Sequence, residues 1–171
     1  EDEKVIREVV IEAVKENGDA LQYVSNEFKN DREVVIEAVK QSSWVLQFVS
    51  NELKNDREVV MEAVKSNGWA LGFAPVFQTD REIVMEAVKK HGCALAFAPV
   101  FQTDREIVME AVKQDGYALE FAPVFQTANA SSREIVIEAV KSCGCALKYA
   151  SNELKNDREK SNEVLTNEDW R

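Results

Sequence analysis

The sequence is short of cysteine, of histidine and of long apolar runs. Its 171 residues contain three cysteines and one histidine. An odd and low cysteine count is not typical of a secreted disulfide framework, so it favours a reducing compartment. No apolar run approaches the ~20 residues that span a bilayer, and the polar start of the chain shows no signal-peptide pattern. We therefore expect no membrane insertion.

Positive charge is scarce as well. The chain carries 21 Lys and Arg against 31 Asp and Glu, which gives a formal net charge of −10. Proteins that bind nucleic acid need a basic patch that displaces counterions from the phosphate backbone. Anionic membrane surfaces likewise attract basic segments. The charge therefore argues against nucleic acid and against an anionic membrane surface as partners.

What the chain does contain is a repeat. The segment "DREVVIEAVK", which begins at Asp31, returns with small changes about every 25 residues. Six repeats are recognisable, and a polar segment at 157–171, which contains Trp170, is expected to cap the last one or to form a tail. The repeats cover residues 6–30, 31–55, 56–79, 80–103, 104–131 and 132–156.

Each repeat is predicted to begin with a long helix. In repeat two Asp31 suits the N-cap, and Glu33 and Lys40 suit the two ends of the helix dipole. The body between them is almost entirely apolar, so the helix needs neighbours on two sides. In repeat one Ile6 replaces the Asp cap, and the helix is expected to start about a turn earlier.

A short second helix is predicted to follow the long one. A glycine lies between them in five repeats, where we expect the left-handed backbone that ends helices, and Ser43 replaces it in repeat two. An aromatic residue recurs near the end of the short helix and is assigned to the core. These aromatic residues are Tyr23, Phe48, Phe73, Phe97, Phe121 and Tyr149.

Two kinds of connector join the repeats. "SNELKN" and its variants offer Ser25, Ser50 and Ser151 as caps of an extra turn. "PVFQT" contains a proline, which is expected to end the preceding helix. The insertion "ANAS" at 128–131 is interpreted as an exposed loop, which is more often a harmless bulge than a binding element.

These elements predict an all-α fold. We expect an α-solenoid of six helix–short-helix repeats, wound as a right-handed superhelix, that forms a single domain over residues 1–156. One repeat cannot bury its own apolar surface, and stacking supplies the missing wall.

The residues "DREVVIEAVKQSSWVLQFVSNELKND" and "DREVVMEAVKSNGWALGFAP" resemble a repeat family known as domain of unknown function 4116. The resemblance covers residues 6–159, and the Pro-Val-Phe-Gln-Thr connectors depart from it. It implies a helical repeat fold and brings no established activity, cofactor or catalytic residue.

Three residue patterns suggest chemistry. Two glutamates four residues apart recur in the long helices, as in Glu33 and Glu37, and are interpreted as a solvated face. Its members are expected to pair with arginines of neighbouring repeats, such as Arg57 with Glu33 or Glu82. His91 and Cys93 suggest a metal site, but the other two cysteines lie too far away to complete it. Cys143-Gly144-Cys145 could be redox-active, although ordinary variation between repeats explains it.

A variable position in the short helix is the best candidate for partner binding. It holds Asp19, Trp44, Trp69, Cys93, Tyr117 and Cys145, and such variation indicates a half-exposed site. The candidate partner-binding residues are Trp44, Trp69, His91 and Tyr117; the tryptophans could be binding anchors or could cover core.

The sequence thus favours a non-enzymatic protein-interaction scaffold or accessory subunit without a cofactor. Two alternatives stay open. One is a metal protein or enzyme that uses the glutamate rows, His91 or the cysteines. The other is an engineered, consensus-like repeat protein without a natural partner, against which the irregular connectors and the insertion argue.

Overall fold

The computed structural model describes residues 2–156, and the regular structure in this part of the chain is helical throughout. This confirms the predicted all-α repeat fold. Six helices are long, one in each repeat, and α3 and α8 are short connectors. In chain order the α-helices are α1 (Asp2–Glu16), α2 (Arg32–Gln41), α3 (Asn51–Lys54), α4 (Arg57–Ser66), α5 (Arg81–Lys90), α6 (Arg105–Gln114), α7 (Ala130–Ser142) and α8 (Asn152–Asn156).

The predicted short second helix is present in every repeat as a 3₁₀ helix. In repeat three, for example, Ala70 N donates to Asn67 O at 3.0 Å, the i→i−3 bond of this tighter helix. These helices comprise Gly18–Tyr23, Ser43–Phe48, Gly68–Phe73, Gly92–Phe97, Gly116–Phe121 and Gly144–Tyr149.

Both predicted kinds of connector occur. Ser50 Oγ accepts from Leu53 N at 3.3 Å, and Ser151 Oγ accepts from Leu154 N at 3.4 Å, so these serines cap α3 and α8. In repeat one the connector is the 3₁₀ helix Phe28–Asn30, which follows Glu27 and has no side-chain cap, so the predicted cap at Ser25 is wrong. Each connector proline ends one 3₁₀ helix and begins the next, because its fixed φ suits a first helical position. The proline connectors are Pro75–Thr79, Pro99–Phe101 and Pro123–Gln126.

The chain divides into two compact units. The first comprises Glu1–Lys90 and the second His91–Arg171. In the first unit α1, α2, α4 and α5 pack in sequence order, and in the second α6 packs on α7. The single domain over residues 1–156 and the right-handed superhelix stay predictions, and the predicted cap at 157–171 lies outside the described residues.

The core consists of the long-helix positions that the repeat makes apolar. In α2 the side chains of Val34, Val35, Ala38 and Val39 are fully buried. The caps form as predicted: Asp31 Oδ1 accepts from the N–H groups of the second and third residues of α2. Helix α2 is therefore held by neighbours on two sides, α1 and α4, as its composition requires.

The expected left-handed glycines are a wrong prediction. Among residues 2–156 no residue has a positive φ. Instead, the next repeat lies against the glycine: a Cβ built on Gly18 would lie 2.5 Å from Ala38 O, and one on Gly92 would lie 2.9 Å from Asp115 N. Glycine is used here for close approach of two backbones.

The assignment of the recurring aromatic residue to the core is also wrong. Tyr23 is 84% exposed, Phe48 is exposed, and Phe73, Phe97, Phe121 and Tyr149 are half-buried. In the first five repeats the leucine two residues earlier is buried, as Leu21 and Leu46 are, whereas Leu147 of repeat six is 42% exposed. A 3₁₀ helix has about three residues per turn, so residues two apart do not share a face.

Only the first half of the insertion in repeat five is non-helical as predicted: Ala128 and Asn129 precede α7, whereas Ala130 and Ser131 begin it. Asn129 Oδ1 accepts from Ser132 N at 2.8 Å and caps α7, which begins at Ala130. Ser132 stands where other repeats have the Asp cap, and it is buried. Its hydroxyl lies 3.2 Å from Thr127 Oγ1. The insertion therefore lengthens the last long helix.

Candidate functional site

The first unit carries a surface of exposed aromatic side chains on its 3₁₀ helices. The 3₁₀ helices of repeats one, two and three contact one another in that order. These helices expose Tyr23, Trp44, Phe48 and Trp69 to solvent. We call these four residues the aromatic surface. It brings together two of the predicted partner-binding residues, Trp44 and Trp69.

Trp44 is held in place and is still available. Its ring meets the Phe73 ring of the next repeat edge-on, with the centroids 5.6 Å apart and the planes inclined by 65°. The Trp44 residue nevertheless remains 55% exposed. The two interpretations of the tryptophans, as anchor and as cover, are therefore compatible: one edge covers Phe73 and the rest faces solvent.

The backbone beneath the tryptophans is fixed by side-chain bonds. Asn67 Oδ1 accepts from Trp69 N at 3.0 Å and fixes the start of that 3₁₀ helix. Gln47 Nε2 donates to Trp44 O at 3.1 Å, and Lys54 Nζ donates to Gln47 O at 2.7 Å. The aromatic rings thus stand on a backbone that is anchored from both sides.

The second unit repeats the pattern with tyrosines. Tyr117 is exposed, and its ring lies 6.4 Å from that of Tyr149 in an edge arrangement. Lys148 Nζ lies 5.0 Å from the first ring centroid and 4.5 Å from the second. Tyr149 OH donates to Glu120 Oε2 at 2.7 Å. Tyr117 is therefore already engaged in a cation–π cluster.

The other predicted residues of the second unit are less suited to a site. His91 is half-buried at the position before the 3₁₀ helix of repeat four. Cys93 Sγ donates to Asp115 Oδ2 at 3.2 Å. Burial, together with that carboxylate, raises the pKa of Cys93 to about 12, so at neutral pH it is a thiol rather than a ligating thiolate. Within residues 2–156 no group of three or more His, Cys, Asp or Glu could hold a metal ion.

The first glutamate of several pairs forms an ion pair with the arginine of the preceding repeat. Arg7 Nε lies 2.6 Å from Asp31 Oδ2, and its Nη2 lies 2.7 Å from Glu33 Oε2. Arg32 pairs in the same way with Asp56 and Glu58. Arg57 pairs with Asp80 and Glu82, which confirms the predicted contact between Arg57 and Glu82. In the second unit Arg105 pairs with Glu134.

The second glutamate of three pairs in the first unit is bound within its own helix. Glu12, Glu37 and Glu62 each accept from a lysine three residues later, at 3.0, 2.7 and 2.9 Å. These carboxylates are thus paired with cations of the chain itself, and they form a structural network rather than two carboxyls in unlike environments.

Arg7 also tunes the cap of α2. Its hydrogen bond holds the pKa of Asp31 below its usual value, and the backbone N–H groups of α2 act in the same direction against partial burial. The Arg32 hydrogen bond similarly lowers the pKa of Asp56. Each aspartate is therefore both a helix cap and an ion-pair partner of the preceding repeat.

Cys143 and Cys145 form a disulfide across one residue. The interpretation of this pair as repeat variation did not anticipate the bond. The exposed side chains of Tyr23 and Phe48 were missed as well. A signal for exposure existed, because a tyrosine replaces phenylalanine in repeats one and six, and a phenol hydroxyl requires a polar partner or water.

Within residues 2–156 no helix is long and apolar enough to cross a membrane. Comparison with curated proteins and with solved structures finds no match for the chain. The model of the family described as domain of unknown function (DUF4116) matches four stretches, of which the first two overlap: residues 6–52, 33–78, 80–125 and 132–160. Since these matches cover most of the chain and follow its repeats, the protein belongs to the DUF4116 family.

Proposed function

We propose that the protein is a non-enzymatic interaction module, a scaffold or accessory subunit that binds a protein partner through the aromatic surface. The observation that carries this proposal is the exposure of Trp44 beside Trp69 on adjoining 3₁₀ helices. Isolated exposed apolar residues are normal on proteins, whereas a group of large aromatic residues on one face is a feature of binding surfaces.

The physical case rests on rigidity. Tryptophan and tyrosine dominate binding hot spots because they bury a large area with few rotatable bonds. The Trp44 ring packs against the Phe73 ring, so part of its rotamer freedom is already lost before a partner binds. Binding to a preorganised anchor loses less conformational entropy than binding to a mobile one.

Charge supplies a second criterion for the partner. The chain has a formal net charge of −10, and Asp19 and Glu52 are exposed in the first unit. Charges at the rim of an interface act mainly on the association rate and on the choice of partner. The fitting partner is a protein with an apolar pocket and a basic rim.

The test compares two changes of exposed apolar residues in the first unit. Proteins cross-linked to the wild-type chain in its native source are identified, and the dissociation constant of the recovered partner is then measured by calorimetry. Trp44→Ala/Trp69→Ala is expected to weaken binding by at least about tenfold, since each hot-spot residue contributes on the order of 2 kcal/mol.

Val76→Ser is the matched control. Val76 is exposed in the proline connector of repeat three and is not part of the aromatic surface. It is expected to leave the dissociation constant unchanged. Equal affinity of the double variant and the wild type, with unchanged helical circular dichroism, would contradict the proposed surface.

A further inference from the structure

A disulfide joins Cys143 and Cys145 where the chain passes from α7 into the last 3₁₀ helix. We propose that Cys143 and Cys145 form a thiol–disulfide exchange site, which accepts two electrons from a dithiol and returns them to a disulfide. The proposal is independent of the aromatic surface, which lies in the other compact unit. It rests on the place of this bond in the repeat, on what the fold needs at that place, and on access from solvent.

The disulfide stands where other repeats have a hydrogen bond. In three repeats an Asn or Asp before the 3₁₀ helix accepts from the backbone N–H two residues later, which closes the turn. Cys143 occupies the acceptor position of this bond and Cys145 the donor position. The equivalent bonds join Asn17 Oδ1 with Asp19 N at 3.0 Å, Asn67 Oδ1 with Trp69 N at 3.0 Å, and Asp115 Oδ1 with Tyr117 N at 2.9 Å.

The turn also forms in repeats that have neither the disulfide nor this side-chain hydrogen bond. Ser42 and His91 hold the same position in repeats two and four, and neither makes a side-chain cap bond. Their backbones nevertheless match that of Cys143: φ and ψ are −145° and 107° at Ser42, −144° and 107° at His91, and −146° and 115° at Cys143. The fold of the repeat therefore does not depend on the bond.

The disulfide also contributes little to folding through chain entropy. A cross-link stabilises a protein chiefly by restricting its unfolded chain, and the effect grows with the length of the closed loop. This loop holds a single residue between the two cysteines. A bond with so small a structural role can open and close while the repeat stays folded.

The glycine of this turn is more accessible to solvent than the corresponding glycines of the other repeats, all of which are buried. Gly144, between the two cysteines, is half-buried, and so are Cys143 and Cys145. In the preceding repeat the equivalent glycine, Gly116, is buried beneath α7. Exposed disulfides are the labile ones, because exchange requires a thiolate to reach one of the sulfur atoms.

The third cysteine does not supply the attacking group. Cys93 donates its thiol proton to Asp115, and its pKa is raised to about 12 by burial and by that carboxylate. The nucleophile in exchange is the thiolate, so Cys93 is inert at neutral pH. The attacking thiolate therefore comes from a second molecule.

The exchange balances with a dithiol as the only co-reactant. One thiolate of the dithiol attacks a sulfur of the Cys143–Cys145 bond, that bond breaks, and the departing cysteine leaves as a thiolate and takes a proton. The second thiolate of the dithiol then attacks the dithiol sulfur of the mixed disulfide. The other cysteine leaves as a thiolate and takes a proton. The dithiol loses two electrons and two protons and becomes a disulfide, and the protein gains two thiols.

The test measures whether the bond exchanges while the protein is folded. The oxidised full chain is equilibrated without oxygen in graded mixtures of reduced and oxidised glutathione. Free thiols are then alkylated, and the number of alkyl groups per chain is measured by intact mass spectrometry. Oxidation of dithiothreitol by the protein is measured in parallel. We expect reversible gain of two alkyl groups in millimolar glutathione, one dithiothreitol oxidised per chain, and unchanged helical circular dichroism.

Two variants serve as controls. Cys143→Ser/Cys145→Ser, which introduces at position 143 the residue that repeat two has at Ser42, is expected to fold and to lose the exchange completely. Cys93→Ser is expected to exchange as the wild type does. A bond that resists glutathione until the chain unfolds, a loss of helix on reduction, or two cysteines that stay reduced in oxidised glutathione would each overturn the proposal.

Discussion

The glycine between the two helices of a repeat shows how a residue can be constrained by its neighbour. Its backbone is ordinary, and the constraint is the carbonyl of the next long helix, as Ala38 O is for Gly18. The sequence revealed that glycine recurs but suggested the wrong cause. Helix ends favour glycine so often for its left-handed backbone that close approach between repeats was overlooked.

Gly116→Ala is expected to destabilise the second unit by about 1–3 kcal/mol, because the added methyl group must displace α7. The free energy of unfolding from urea titration measures the effect. Ser43→Ala is the control, since Ser43 already places a Cβ at this position of repeat two. A Gly116→Ala variant as stable as the wild type would show that the contact yields without cost.

For single residues, the variable position of the 3₁₀ helix was predicted correctly to be accessible to solvent. The recurring aromatic residue was predicted wrongly to be buried. Trp44, Trp69 and Tyr117 vary between repeats because solvent tolerates change, and they are exposed. The recurrence of Phe48 and Tyr23 suggested burial. Regular spacing alone does not distinguish a buried residue from one that packs on the next repeat and remains exposed to solvent, as the Trp44–Phe73 contact illustrates.

Among the elements, the long helices show what a neighbouring repeat contributes. Val9 of α1 and Val34 of α2 occupy the same repeat position, but Val9 is 63% exposed and Val34 is 0% exposed. Helix propensity and sequence context are nearly the same for both residues. The difference between them therefore isolates the packing of α2 against the preceding repeat.

Val34→Ala is expected to lower the free energy of unfolding by about 2 kcal/mol, because it removes buried methyl groups and leaves a cavity. The matched Val9→Ala is expected to change it by less than about 0.5 kcal/mol, because an exposed valine loses little and alanine is the better helix former. Denaturant titration of both variants measures the difference, and equal effects would contradict the stacking account.

The Arg–Asp contacts make stability depend on pH. Hydrogen bonding to Arg7 lowers the folded-state pKa of Asp31 below the unfolded value of about 3.9. The corresponding stability is present above that unfolded value and is lost as pH falls through the lower folded pKa.

Asp31→Asn tests this contribution, since asparagine also caps helices but carries no charge. The variant is expected to melt at a lower temperature than the wild type at pH 7. The gap should close as the pH falls from 7 through the lowered folded-state pKa of Asp31, below which both side chains are neutral. Thermal unfolding by circular dichroism across this pH range measures it. A gap that persists in acid would assign the effect to the cap and not to the ion pair.

The elements were largely predictable, with one instructive exception. Asp31 and the apolar residues that follow it predict α2 and the position of its N-terminus. The "ANAS" insertion was taken for a loop, because small polar residues favour loops and Ser132 replaces the Asp cap. The cap has moved to Asn129, and alanine and serine continue the helix from there.

For the whole molecule the repeat was the most informative feature of the sequence. It predicted the order of long and short helices correctly through residue 156, because a unit that cannot bury its own apolar surface must meet a copy of itself. Function was not predictable to the same degree. Repeat families share the residues that pack the repeats, as Val34 and Leu46 do here, whereas binding depends on the positions that differ between copies.

The central claim is that a repeat is stable only in contact with its neighbours. Circular dichroism of a peptide of residues 31–55, melted beside the full chain, tests it most directly. Its long helix has 10 residues, which is below the ~12–15 that are marginally stable alone in water. The account predicts a largely non-helical peptide without a cooperative transition. A helical, monomeric peptide that melts sharply would contradict it.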